Sequence, residues 1–167
     1  MSSVPPFVPQ EIVRELADHD VDYVMIGGFA ATAWKSPYST QDVDICPSNE
    51  KANLEKLAAA LTAMGAKRVT DLEPEGVEVD VTPEYLRAQN ELAFMTQWGP
   101  LDLVFVPQGT RGYEDLVREA VRDDLLKSPV LFASRDDVIR MKDARGLLKD
   151  RLVVDLLRQV EEWDEEH

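Results

Sequence analysis

The sequence predicts a mixed α/β or α+β domain, a twisted sheet flanked by helices with a mainly helical C-terminal third. Three observations predict it. Hydrophobic periodicity runs in the order helix, strand, helix, strand, helix, several strands, then helices. Pro, Gly and Asp punctuate these segments at short intervals, with no repeat, low-complexity stretch or long linker. The length, 167 residues, suits one domain, expected over 1–167 with a core at about 9–107 and a helical segment at about 108–163.

Each element has a local reason. Pro9-Gln10-Glu11 opens a helix with Ile12, Val13 and Leu16 on one face, ended by Asp18-His19-Asp20. Val21–Ile26 is apolar and β-branched enough for a buried strand. Gly27-Gly28 breaks it, Phe29–Trp34 reads as a short helix, and Asp42–Ile45 alternates acid and aliphatic as a second strand. Glu50–Met64 has Leu54, Leu57, Ala58, Leu61 and Met64 at helical spacing, with Gly65 where a C-cap belongs. Lys67–Thr70, Val77–Val81, Leu92–Gln97 and Leu101–Val106 read as strands, Tyr113–Arg122 as a helix and Val130–Phe132 as a short strand. Ser134 reads as an N-cap before the first-turn acids Asp136 and Asp137, opening a helix to about Arg145. Gly146 interrupts, and Leu148–Trp163 is a last amphipathic helix.

Composition excludes several chemistries. One cysteine, Cys46, permits no intramolecular disulfide and no Cys-rich zinc site. His19 and His167 are the only imidazoles, which leaves little for His-based zinc catalysis or a catalytic triad. No apolar run approaches a membrane span, and MSSVPPFVPQ lacks the features of a signal peptide, so a cytoplasmic protein without membrane contact is expected. The net charge of −14, from 32 acids against 18 bases, argues against wrap-around nucleic-acid binding. Between Asp71 and Glu91 there are seven acids and one base, whereas Arg135–Arg158 holds seven bases against five acids, so a phosphate ligand has one plausible neighbourhood. The acidic tail, Glu161 to His167, reads as a frayed helix end or a dock for a basic partner.

The segment that carries chemistry is Ile26-Gly27-Gly28, thirteen residues, then Asp42-Val43-Asp44-Ile45. On one strand, Asp42 and Asp44 would share a face while Val43 and Ile45 enter the core. Two adjacent carboxylates repel and lose hydration, a conflict that a hard divalent cation such as magnesium removes. Asp102, alone among Leu101, Leu103 and Phe105, offers a third acid on another strand. Three such acids fit phosphoryl transfer assisted by two metals. The glycine pair would let backbone amides approach phosphate.

Each feature also has a plainer reading: Gly-Gly as a turn, Asp-x-Asp as a solvated edge, Asp102 as a salt-bridge partner. Lys142 and Lys149 read either as phosphate contacts or as surface charges pairing with Asp143 and Asp150. Glu78 and Asp80 rival Asp102 as the third acid, although their stretch reads as a solvated face. Asp18, Asp20 and Asp22 alternate like a calcium loop, but Tyr23 and Phe29 stand where an EF-hand needs Gly and Glu. Trp34, Trp98 and Trp163 are expected in the core or an interface, and Cys46 as a small buried hydrophobe.

Taken together, Ile26-Gly27-Gly28, the spacer, Asp42-Val43-Asp44-Ile45 and the later Gly99-Pro100-Leu101-Asp102-Leu103 resemble the nucleotidyltransferase superfamily, the DNA polymerase beta-like fold. Ile139-Arg140-Met141-Lys142, Gly146 and Lys149-Asp150 are similar to motifs of small bacterial members related to AbiEii-type toxins of toxin–antitoxin systems. The resemblance spans about residues 22 to 158, with a poorly matched stretch between 67 and 95. It implies NTP as substrate, with Mg2+, or Mn2+ in its place, held by the catalytic acids Asp42, Asp44 and Asp102. It further implies Gly27, Gly28, Thr40, Lys142, Lys149 and Asp150 around the nucleotide. The implied acceptor is a hydroxyl of a tRNA end, a protein or a small molecule, with a cognate toxin or antitoxin as partner. A catalytically silent nucleotide- or partner-binding module on the same fold is the alternative. Two departures from the family pattern stand out: no Arg precedes Thr40 in Pro37-Tyr38-Ser39-Thr40, and Leu147 stands where Gly-Arg-x-Lys-Asp has its arginine.

Overall fold

The computed structural model, which describes residues 4–166, opens with α1 (Pro9–Asp18), whose Ile12, Val13 and Leu16 are fully buried. The expectations that involve Met1–Ser3 and His167 lie outside the described residues. Next come β1 (Tyr23–Ile26), α2 (Gly27–Ala33) and β2 (Val43–Pro47), then α3 (Lys51–Ala63). Leu54, Leu57 and Leu61 of α3 are fully buried, each contributing about 1.5–3 kcal/mol relative to exposure. Asn53 of α3 accepts a hydrogen bond from the Asp22 amide at 2.7 Å and donates to the Asp22 and Ser48 carbonyls at 2.9 and 2.8 Å. These bonds tie the helix to the start of β1 and the end of β2.

The chain continues through β3 (Lys67–Val69), α4 (Pro83–Arg87), β4 (Glu91–Thr96), β5 (Gly99–Val104) and α5 (Tyr113–Leu116). It ends with β6 (Val121–Asp123), β7 (Val130–Phe132), α6 (Arg135–Arg145) and α7 (Leu148–Glu166). The described strands form one mixed sheet in the order β3-β4-β5-β2-β1-β7-β6. β2 runs parallel to β5 and β1 parallel to β7, while the other neighbours are antiparallel. Buried and open positions alternate along β4 and β5, as a sheet with one face in the core requires. Among the described residues, no helix is long and apolar enough to cross a membrane.

Most expected elements are present, and the differences have physical causes. Val77–Val81 is not a strand: Val77 makes an isolated bridge to Arg68 and the rest has no partner strand. α4 was not expected, although Thr82 caps it by accepting from the Tyr85 amide and Pro83 sits in its first turn. The Tyr113–Arg122 helix stops at Leu116, because Val121–Asp123 pairs instead with Val130–Phe132, and sheet pairing overrides a weak local preference. α2 starts at the glycine pair itself, β2 starts one residue after Asp42, and α7 continues past Trp163 to Glu166. At the α6–α7 junction, Ser134 caps α6 through the Asp137 amide, and Gly146, at φ +68°, ends it in the left-handed conformation.

Candidate active site

Asp44 of β2 pairs in register with Asp102 of β5, and Ile26 of β1 flanks Asp44 on the other side. Val43, Ile45, Leu101 and Leu103 are fully buried on the opposite face, so strand alternation forces both carboxylates onto the open face. Asp42 joins them from the bend that precedes β2 rather than from the strand itself. Carboxylate oxygens of Asp42, Asp44 and Asp102 lie within 4.8 Å of one another. Glu78 and Asp80 lie outside this cluster.

The cluster carries more negative charge than its surroundings balance. Burial, then the charges of Asp42 and Asp102, push the Asp44 carboxyl up to about 8, with Arg145 opposing weakly. Burial and the Asp42 charge push Asp102 up to about 6, while a hydrogen bond from Asp44 holds it lower than its neighbour. Both carboxyls are thus held above the ordinary carboxylate range, and near neutral pH the pair retains a proton between them. Half-buried hard oxygen donors that must retain a proton to coexist fit a divalent cation, which would take that proton's place.

The glycine pair makes this crowding possible. Gly27 has φ +68°, and a Cβ there would collide with the Asp44 carboxylate. A Cβ on Gly28 would lie 2.7 Å from Cβ and 2.8 Å from Oγ1 of Thr40. The Thr40 hydroxyl in turn donates to the Asp42 carbonyl at 3.0 Å and to its Oδ1 at 3.2 Å. Thr40 thus braces Asp42 from behind the bend.

Cations arrive from the helical end. Asp150, 1% exposed at the start of α7, accepts from Nε and Nη2 of Arg145, both at 2.8 Å, and lies 3.6 Å from Nζ of Lys142. Burial works against the Asp150 charge, but the hydrogen bonds and charge of Arg145, followed by Lys142, hold its carboxyl below the ordinary range. Lys149 is exposed beside them. Asp143 pairs with Arg158 rather than with either lysine.

Two cavities meet at the acids. The first, about 450 Å3, lies between the sheet face and α6, with Ala93, Val104, Val138 and Met141 as apolar wall and Arg68 and Glu91 as charged ones. The second, about 430 Å3, is lined by Gly28, Ser39, Thr40, Asp42, Lys149 and Asp150. Gly27, Asp44, Asp102, Lys142 and Arg145 belong to both. All nine site residues singled out from the sequence line the second cavity. Sequence reasoning missed Arg145, Arg68 and Glu91. For Arg145 a signal existed, a cation in the last turn before a helix-ending glycine with an acid opening the next helix.

The tryptophans divide. Trp34 is half-buried and donates to the Ala133 carbonyl at 2.8 Å, with the Arg135 guanidinium 5.2 Å from its ring, and Trp98 packs against the core. Trp163 is exposed on α7, which removes it from the core half of the core-or-interface expectation. Cys46 is fully buried, as expected.

No family model matches this chain, and no curated protein does. Among solved structures, the chain is similar to the lincosamide antibiotic adenylyltransferase LnuA, lincomycin-bound. The two share 13% identity over 93% of this chain and 99% of that one, with a TM-score of 0.62. A second similar structure is the antibiotic-resistance factor ANT(2'')-Ia, at 14% identity over 95% and 98%, with a TM-score of 0.45. The likeness to the first shows that the mixed sheet and flanking helices form a nucleotidyltransferase fold, as the acid and glycine motifs led us to expect.

Proposed function

We propose that this chain is a nucleotidyltransferase that moves a nucleoside monophosphate from a nucleoside triphosphate to an acceptor hydroxyl in the cytoplasm. The observation that carries the reading is the placement of Asp42, Asp44 and Asp102 within 4.8 Å of one another where two cavities meet. Asp42 and Asp44 would hold two Mg2+ ions, or Mn2+, with Asp102 sharing the one nearer the acceptor. When bound, the metal supplies charge neutralisation for the phosphates and acidifies the attacking hydroxyl.

The chain's own residues do the rest. In the second cavity, the amides of Gly27 and Gly28 and the ammonium groups of Lys142 and Lys149 bind the triphosphate. Thr40 keeps Asp42 in place through its hydroxyl, and Asp150 keeps Lys142 turned toward the site. The first cavity orients the acceptor so that its hydroxyl points at the α-phosphate, and Asp102 takes the hydroxyl proton. The acceptor oxygen bonds to the α-phosphorus as the bond to pyrophosphate breaks, in line.

A small-molecule acceptor is the reading we favour. The first cavity, about 450 Å3 with a largely apolar wall, has the size of a pocket for a drug-sized ligand. The similar fold of an adenylyltransferase with bound lincomycin also supports it. A tRNA end or a protein hydroxyl, with the toxin–antitoxin setting they imply, is the competing outcome of one experiment. Each of the four α-labelled nucleoside triphosphates is incubated with magnesium, a cell lysate and either the wild type or Asp42→Asn. The products are then resolved into small-molecule, RNA and protein fractions. Label in the small-molecule fraction, absent with the variant, is expected. Label in RNA or protein would transfer the reading to the toxin–antitoxin setting. No label from folded wild type, or equal label from the variant, would overturn nucleotidyl transfer in favour of a silent binding module.

A further inference from the structure

The arginine that the family pattern leads one to expect is Leu147, and Leu147 is 47% exposed and lines neither cavity. The guanidinium that does line both is two positions earlier. Arg145 closes the last turn of α6, and Gly146, in the left-handed conformation, turns the chain so that Asp150 of α7 comes back beneath it. Asp150 grips the guanidinium along one edge, through Nε and Nη2. Five N–H bonds radiate from a guanidinium, and this grip uses two. Nη1 has no hydrogen-bond partner among the described residues, and Arg145 lines both cavities.

Charge points the same way. One buried carboxylate, Asp150, serves two cations, Arg145 and Lys142, so it does not by itself neutralise both. Arg145 shares the lining of both cavities with Asp44 and Asp102, and its charge opposes the raised Asp44 carboxyl. With nucleotide in one cavity and acceptor in the other, the exchanging phosphoryl group occupies the junction between them. A planar fork already held by a buried acid loses little entropy on meeting phosphate oxygens, which an ammonium on a flexible stem does not match.

We propose that Arg145 is a catalytic residue whose guanidinium, held by Asp150 where the two cavities meet, contacts the transferred phosphoryl group. Asp150 is its positioning residue. The inference rests on the nucleotidyl-transfer reading and adds to it the donor that meets charge as it develops.

The test is label transfer into the accepting lysate fraction, with rates measured at saturating and limiting nucleotide for wild type, Arg145→Lys, Arg145→Gln and Leu147→Ala. Removing a preorganised donor of this kind lowers the maximal rate by about 100-fold or more. That loss is expected for Arg145→Gln, with a smaller but clear loss for Arg145→Lys, a smaller change in the nucleotide concentration for half-maximal rate, and wild-type behaviour for Leu147→Ala. Arg145→Lys keeps a cation beside Asp150, so its melting temperature should stay near that of wild type and separate catalysis from folding. Arg145→Lys at the wild-type maximal rate would overturn the inference, as would Arg145→Gln, if folded, within threefold of wild type. Wild type that transfers no label would instead overturn the nucleotidyl-transfer reading itself, and this inference with it.

Discussion

Asp44 and Asp102 face each other in register across parallel strands, and burial together with the Asp42 charge raises both carboxyls so that the pair retains a proton. This makes the metal-free protein sensitive to pH in a definite direction. Both folded-state values lie above the ordinary carboxylate value of 3.8, at about 8 and about 6, so the native state binds more protons than the unfolded chain from about pH 4 to about pH 8. Stability contributed by these groups falls as pH rises through that window. With chelator present, the melting temperature of wild type should drop more between pH 5 and pH 8.5 than that of Asp44→Asn, and millimolar magnesium should restore most of the difference at the alkaline end. Parallel curves for the two proteins would refute the assignment.

Gly27 and Gly28 should fail differently when given a side chain. Gly27→Ala meets both the left-handed backbone, about 1–2 kcal/mol, and the Asp44 carboxylate. Gly28→Ala meets only Thr40 and shifts the brace behind Asp42. Urea denaturation should therefore show the larger loss for Gly27→Ala, while both variants lose metal affinity by calorimetry.

Thr40 acts on Asp42 through one hydroxyl. Thr40→Val should raise the magnesium concentration for half-maximal stabilisation about fivefold, the equivalent of a hydrogen bond worth about 1 kcal/mol, and Thr40→Ser should not. A metal titration followed by thermal melting reads this directly. Equal curves for the valine and serine variants would remove the brace.

Asp150 is the buried acid on which two cations converge. Asp150→Asn should destabilise the fold, by about 1–3 kcal/mol rather than the larger cost of a fully buried pair, because Arg145 is 49% exposed and water screens it. Chemical denaturation of the variant checks this, and added pyrophosphate should recover part of the loss by pairing the freed cations.

How much of this was legible beforehand depended on how local each cause is. The face shared by Asp44 and Asp102 follows from strand alternation, so single acids among aliphatics announced it. Their adjacency does not, because β2 and β5 are joined by more than fifty residues and paired only by the fold. Val77–Val81 alternated as well as either strand, yet its acids found no partner edge. Thr82 and Pro83 signalled α4 with two local cues that the acidic surroundings obscured. Arg145 stayed hidden for a different reason: its direction depends on the turn at Gly146 and on an acid in the next helix, neither of which helical periodicity registers.

The two cavities share only a narrow wall, and Ala93, Val104, Val138 and Met141 lie beyond it. Ala93 is the register partner of Asp102 and Val138 is buried in the core, whereas Val104 and Met141 are half-buried apolar residues of the first cavity alone. The latter two positions can change in size and shape without adding or removing a charged group at the junction. On the nucleotidyl-transfer reading, substitution along that wall would change which acceptor fits while adding no new catalytic group.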